Sequence, residues 1–282
     1  MKLKKIFLLP VLSVFVIQVA LAQNFEVNSP DGNIKLQIAN REQLMWAATF
    51  QNRVVINPSA MGFEFRNEPA MNGNFEVVDQ KIRSMNETWK PVVKSKHAVI
   101  SDQFNELHLF LKEKSDLKRN MELFVRAYNG GIAFRYSLFR AAKVGDRQIT
   151  KELTTFTIPA DPKAWVVEYG GYTSSNEAEF MERPLNYVTE KTIAGMPFLM
   201  EYGNNCWVAI TEAKIDHYPA FYLGTNGKTG RLTTKLVPLP GEPEDGVKAR
   251  FADEVSTPWR VVMIGDSPGD LIESEIIQNL ND

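Results

Sequence analysis

Cysteine occurs once, at Cys206, which excludes an intrachain disulfide framework and any metal site built from several thiolates. Histidine is nearly as scarce. His97, His108 and His217 are the whole complement, and none stands in the H-E-x-x-H or two-histidine spacing that holds zinc. No charge of one sign dominates: 32 Lys and Arg stand against 34 Asp and Glu, a net charge of −2. Phosphate backbones are bound by concentrated positive charge, so nucleic acid is excluded as the main partner. A P-loop, a dinucleotide fingerprint and a G-x-S-x-G nucleophile turn are also missing. What is present is ordinary globular material. The 282 residues are 44% hydrophobic, enough to bury one large core or two small ones and too much for a disordered chain or a collagen-like fibre.

The first 22 residues read as a secretory signal peptide. Lys2, Lys4 and Lys5 precede an apolar run from Ile6 to Val19, and Ala20-Leu21-Ala22 places small residues where a signal peptidase reads. Cleavage before Gln23 is expected. The run is short and contains Pro10, so it does not read as a membrane anchor, and no membrane span is expected after cleavage. Export without disulfides suggests a bacterial periplasm or cell surface.

Past that point, apolar and polar residues alternate almost throughout, the period of half-buried strands. Leu107, Leu109 and Leu111 share one face against His108 and Lys112. Met121, Leu123, Val125 and Ala127 oppose Glu122 and Arg126, and Ile132, Phe134, Tyr136 and Leu138 follow. Asn129-Gly130 between the last two runs predicts a tight hairpin, because both residues of an Asn-Gly turn can take φ > 0. Further strands are expected at 34–38, 44–50, 62–65, 75–78, 154–158, 198–202, 207–211, 231–236 and 260–264. Ser267-Pro268-Gly269-Asp270 predicts a capped helix over 268–275. The most irregular stretches are 161–190 and 238–246. Strands on this scale predict a single all-β domain over 23–282, a large antiparallel sandwich. Leu271, Ile272, Ile276, Ile277 and Leu280 predict a bare apolar surface at the C-terminal end.

Self-contained catalytic chemistry is scarce. Cys206 lies in the strand-like Asn205-Cys206-Trp207-Val208 and reads as a small buried hydrophobe. One acidic cluster stands out: Glu177, Glu179 and Glu182, after an aromatic stretch from Trp165 to Tyr172. Carboxylates at this spacing can hold Ca²⁺, a hard cation wanting six to eight oxygens, although acids in a loop are more often merely solvated. Glu212 ends a strand, where exposure is the ordinary expectation. Five tryptophans and eight tyrosines supply flat faces that can stack on sugar rings, though most tryptophans in a sandwich are core.

A set of segments in fixed order carries a further signal. Asn28-Ser29-Pro30-Asp31-Gly32-Asn33 comes first, then Val54-Val55-Ile56-Asn57-Pro58-Ser59 and Asn86-Glu87-Thr88-Trp89-Lys90-Pro91-Val92. Phe104-Asn105-Glu106-Leu107 and Tyr128-Asn129-Gly130-Gly131-Ile132-Ala133-Phe134-Arg135-Tyr136 follow. Ala164-Trp165, Glu212-Ala213 with Asp216 and Tyr218, and Thr257-Pro258-Trp259-Arg260 complete it. Together they resemble the N-terminal domain of glycoside hydrolase family 97, bacterial exported α-glucosidases and α-galactosidases. The resemblance implies a β-super-sandwich similar to galactose mutarotase, an α-linked oligosaccharide as substrate, and a catalytic (β/α)₈ barrel after the sandwich. It also implies a calcium ion bridging the two, with one glutamate from the sandwich. Glu177 is the match for that glutamate, with Glu179 as the alternative, since this chain is longer between Trp165 and Glu177.

Two departures accompany the resemblance. Thr211 precedes Glu212 where the family commonly has histidine, so the resemblance gives Glu212 a substrate-binding or docking role without that imidazole. The chain also stops about where the barrel would begin. It is therefore expected to be non-catalytic alone, as a fragment, a truncated product or a solitary domain working with a separate barrel. The alternative is a stand-alone periplasmic carbohydrate-binding or scaffold module.

Overall fold

A computed structural model describes residues 23–141, 145–228 and 230–281; the expected signal peptide, 1–22, lies outside them. The chain opens with β1 (Gln23–Asn28), β2 (Ile34–Asn40), β3 (Leu44–Phe50), β4 (Arg53–Ala60) and the short β5 (Phe63–Phe65). A meander of longer strands follows: β6 (Phe75–Trp89), β7 (Ile100–Glu113), β8 (Asn120–Tyr128) and β9 (Gly131–Phe139). Then come β10 (Arg147–Glu152), β11 (Thr155–Thr157), β12 (Lys163–Val166) and β13 (Met181–Pro184). The later strands are β14 (Phe198–Glu201), β15 (Trp207–Ala213), β16 (Phe221–Thr225), β17 (Arg231–Leu236), β18 (Ala249–Phe251), β19 (Glu254–Ser256) and β20 (Trp259–Gly265). Two short helices, α1 (Pro268–Glu273) and α2 (Ile276–Asn279), come last.

Seven strands form one sheet in the order β1-β2-β3-β4-β11-β17-β16. A ten-stranded sheet runs β13-β12-β14-β15-β20-β9-β8-β7-β6, with β19 paired to β9, and β18-β10-β5 form a small third sheet. Neighbouring strands pair antiparallel, as in β2 with β3 and β7 with β8. The protein is thus an all-β sandwich. Alternation decides its inner faces. Ile34, Leu36 and Ile38 of β2, Leu44 and Trp46 of β3, and Leu107, Leu109 and Leu111 of β7 are buried in one core. Trp46 reaches across the sandwich to Phe134 of β9, with ring centroids 4.9 Å apart, and its Nε1 donates to the Thr155 carbonyl at 3.0 Å.

Three expectations need correction. The chain turns at Asn129-Gly130 as expected, but Gly131 rather than Gly130 takes the positive φ, at 154°. A Cβ there would lie 2.5 Å from the Val262 carbonyl oxygen, so the glycine answers to the neighbouring β20 as well as to the turn. β6 runs to Trp89, far beyond the expected 75–78. It is the edge of its sheet and mostly exposed, so it shows no apolar alternation, and its charged side chains discourage edge-to-edge pairing. Finally, the C-terminal segment is not bare. Its helix is capped as expected: the Ser267 hydroxyl accepts from the Asp270 N–H, and the Asp270 carboxylate accepts from the Ser267 N–H. The helix then ends at Glu273, and α2 lies on the outer face of the ten-stranded sheet. There Ile276 and Leu280 are buried with Phe104, Tyr128 and Trp259, while Trp89 donates to the Asn279 side chain at 2.8 Å. Leu271 is also buried, Ile277 is half-buried, and Ile272 alone among the five is exposed.

Two carboxylates keep their charge despite burial. Burial alone would raise the Glu113 carboxyl, but hydrogen bonds from Arg119 at 2.6 and 2.8 Å outweigh it and hold it below its ordinary value. Glu106 behaves alike: burial opposes its charge, and Arg83 and Arg126 overcome that. A carboxyl depressed in the folded state contributes stability that is complete above its unfolded value of about 4.3 and lost as pH falls through the folded value. Urea unfolding across the acid range is therefore expected to show stability falling below about pH 4.3. A Glu113→Gln chain should fall less steeply; equal slopes would reject Glu113 as a source of the dependence.

Candidate functional site

Between β12 and β13 the chain leaves the sheet. The first part of this excursion stays close to the fold: Glu168 and Ala194 form an isolated bridge, and Tyr169 and Tyr172 meet the Tyr222 ring edge-on at 5.8 and 5.7 Å. Gly170-Gly171 and Ser174-Ser175-Asn176 then offer neither apolar alternation nor bulk to bury, and residues 173–180 are all exposed. Glu177 and Glu179 sit in this irregular segment. Glu182 lies on β13, directly opposite Trp165 of β12, and is also exposed. Phe180 and Met181 beside them are 48% and 44% exposed. No helix of the described residues is long and apolar enough to cross a membrane.

Among the described residues, no group of three or more His, Cys, Asp or Glu side chains is gathered as a metal ion requires. The loop offers hard carboxylate oxygens of the type calcium prefers, but fewer than the six to eight it takes. Each histidine has its own carboxylate neighbour: His97 with Glu275 at 2.6 Å, His108 with Glu122 at 2.8 Å and His217 with Asp216 at 3.3 Å. Cys206 is buried, as expected, and burial raises its thiol value, which keeps it a poor nucleophile. Trp46 and Trp259 are core, whereas Trp165 and Trp207 are half-buried and stack at 5.3 Å.

Glu212 departs from the expected exposure. Its side chain is 8% exposed, and its Oε2 accepts from Arg260 Nη1 at 2.6 Å while its Oε1 accepts from the Phe221 N–H at 3.2 Å. Arg260 also grips Glu152 through two bonds, at 2.6 and 2.9 Å, and Tyr218 donates to the same carboxylate at 3.3 Å. Burial pushes the Glu212 carboxyl up, since its contacts with Arg260 and the Phe221 N–H do not replace its lost water. Burial opposes the charge on Arg260, yet Glu152 and Glu212 outweigh it and raise the guanidinium further. Two carboxylates clamped on one arginine are poorly placed for acid and base work, which needs groups free to exchange protons with a substrate.

Above this network lies a cleft of about 760 Å³. Its floor is the turn from β10 into β11, including Glu152 and Thr154, and one wall is β17. The two stretches that read as most irregular in the sequence meet over it: Tyr172 comes from the first, Glu244 and Asp245 from the second. Sequence reasoning missed Glu152 and gave Arg260 no role. The one local signal was an arginine inside the apolar run Trp259-Arg260-Val261-Val262.

Comparison with known proteins adds a family. Residues 27–282 match the family described as "Glycosyl-hydrolase 97 N-terminal". A retaining alpha-galactosidase of Bacteroides thetaiotaomicron is 24% identical over 278 residues, an alignment covering 90% of this chain and 40% of that protein. A probable retaining alpha-galactosidase of Streptomyces bingchenggensis is 23% identical over 216 residues, covering 76% of this chain and 31% of its own length. Among solved structures, a glycoside hydrolase family 97 enzyme from Pseudoalteromonas sp. strain K8, in complex with acarbose, superposes with a TM-score of 0.84 at 29% identity. That match covers 92% of this chain and 38% of the other. The chain therefore spans about two fifths or less of the length of these relatives.

Proposed function

Because the chain belongs to the family of glycosyl-hydrolase 97 N-terminal domains, we propose that it is the non-catalytic sandwich portion of an exported bacterial α-glycosidase. In this reading it docks against a catalytic barrel carried in cis or in trans, and the substrate is an α-linked oligosaccharide, glucoside or galactoside. The observation that carries it is the exposed acidic loop. Glu177 and Glu179 stand in solvent beside the exposed Phe180 and Met181, an arrangement that costs a free surface and suits one completed by another body. Glu177 supplies a calcium ligand at that junction, with Glu179 as the alternative, and the barrel supplies the remaining oxygens. Glu212 serves the docking or substrate side by anchoring the buried Arg260 network beneath that surface, rather than by direct contact. The basic and apolar residues 1–22 support export.

The test uses a protein that carries both sandwich and barrel, native or fused. Glu177→Gln keeps the shape and removes the charge. It is expected to raise the calcium concentration needed for hydrolysis of a p-nitrophenyl α-glycoside by about 10- to 100-fold, as loss of a metal-site partner typically does. The 282-residue chain alone should give no turnover, and free Ca²⁺ should hardly move its Tm, since stabilisation follows RT ln(1 + [L]/Kd). An unchanged calcium requirement in the Gln variant would reject Glu177 and move the assignment to Glu179 or Glu182.

A further inference from the structure

We propose that the cleft between β10 and β17 is a binding site for a neutral oligosaccharide, separate from the exposed Glu177 loop and complete within this chain. The inference rests on the family reading above for the class of ligand alone; the site itself stands on geometry. At about 760 Å³ the cleft falls within the ~300–1,000 Å³ typical of small-molecule sites.

Its walls hold polar groups with unused capacity. Lys248 is 5% exposed, yet the one hydrogen bond its ammonium makes among the described residues goes to the Glu244 backbone carbonyl. Lys235 likewise donates to a backbone carbonyl, that of Glu190 at 2.5 Å. Neither forms an ion pair with a side chain among the described residues, and an ammonium carries three donors. Burial lowers both lysines from their ordinary values against the pull of Glu244 on each, so the carbonyl bonds and nearby acids replace only part of their lost water. Arg231 lines the same cleft, and its Nε is buried with no hydrogen-bond partner among the described residues. Gly224 keeps the Lys235 stem in place: a Cβ there would lie 2.6 Å from Lys235 Cε.

The lining also says what kind of ligand fits. Among the described residues it carries four basic and four acidic side chains, a balance that favours neither an anion nor a cation. Donors and acceptors both line it, with threonine hydroxyls at Thr150 and Thr233 among the charged groups. Tyr172, half-buried, adds one aromatic face. Hydroxyl groups both donate and accept, and a pyranose presents an apolar C–H face to an aromatic ring. A neutral sugar chain meets all three features at once.

Isothermal titration of the purified chain with maltotriose and with melibiose, in EDTA, tests the proposal without a barrel or calcium. At least one sugar is expected to bind, with affinity reduced about tenfold or more, 1.4 kcal/mol, in Lys235→Met and in Tyr172→Ala. Lys94→Met, on an exposed loop elsewhere, should bind as wild type does. Circular dichroism melts establish that each variant is folded, and the two variants stand on different walls, so loss of one leaves the other readable. Absence of binding by both sugars at millimolar concentration would overturn the proposal. So would unchanged affinity in a folded variant, or tighter binding of an acidic trisaccharide such as trigalacturonate. These outcomes leave the Glu177 assignment untouched, because that test reads calcium dependence in the assembled enzyme.

Discussion

Replacing Arg260 by methionine is expected to cost the fold about 3–5 kcal/mol, the usual penalty for removing one partner of a buried ion pair. The size follows from what is left behind. Arg260 is wholly buried and neutralises two carboxylates from two other strands, Glu152 at 2.6 and 2.9 Å and Glu212 at 2.6 Å. Methionine fills much of the volume but leaves both anions without a counter-charge in a site almost closed to water. Each carboxyl would then take a raised value in the folded state. A raised carboxyl destabilises at high pH and is relieved as pH falls toward that value, so the penalty should be larger at pH 8 than at pH 5. Urea unfolding of the two chains at both pH values measures it. A second chain, with Glu152→Gln added to Arg260→Met, should recover part of the loss by removing one stranded charge. A loss below about 1 kcal/mol, within the range of an exposed pair, would mean the network is more hydrated than its burial indicates.

The other large effect is expected at Trp46. Its indole is buried between the sheets, 4.9 Å from Phe134 and 5.5 Å from Phe156, and donates to the Thr155 carbonyl. Trp46→Ala removes the aromatic contact between β3 and β9 and opens a cavity that the stiff strands around it cannot close, so a loss of about 3–5 kcal/mol is expected. Trp46→Phe retains most of the packing and loses the hydrogen bond, leaving the Thr155 carbonyl short of a partner. It should cost about 1–3 kcal/mol. Equilibrium unfolding monitored by circular dichroism separates the two. Equal losses in both variants would mean that the hydrogen bond, rather than the packing, is what Trp46 contributes. A loss in the alanine chain no larger than about 1 kcal/mol would mean that neighbouring side chains collapse into the gap.

These two residues illustrate where reading the chain succeeded and where it did not. Trp46 sits in Leu44–Phe50, which the sequence pattern assigned as a strand. The same local rule identified β7, β8 and β9 and the capped start of α1. It underestimated β6, because an edge strand with little core beneath it has no reason to alternate. It misjudged the last segment for the opposite reason: the apolar residues of α2 were visible, but the sheet face that covers them was not. Among the candidate acids, Glu177, Glu179 and Glu182 were legible as a group because they are close in sequence. Glu152 and Arg260 were not, being 108 residues apart.

The order of residues along this chain, by itself, determined an all-β sandwich, most of the buried faces and the family. Those properties reside in the period of two and in short ordered motifs, and both are local. Tertiary structure alone decided that Glu212 is buried rather than exposed, that one arginine joins it to Glu152, and that two irregular stretches close over a polar cleft. Each of these depends on which strands lie side by side. In an antiparallel sandwich that is settled by packing between segments far apart in sequence, where burial, not spacing, selects the partner.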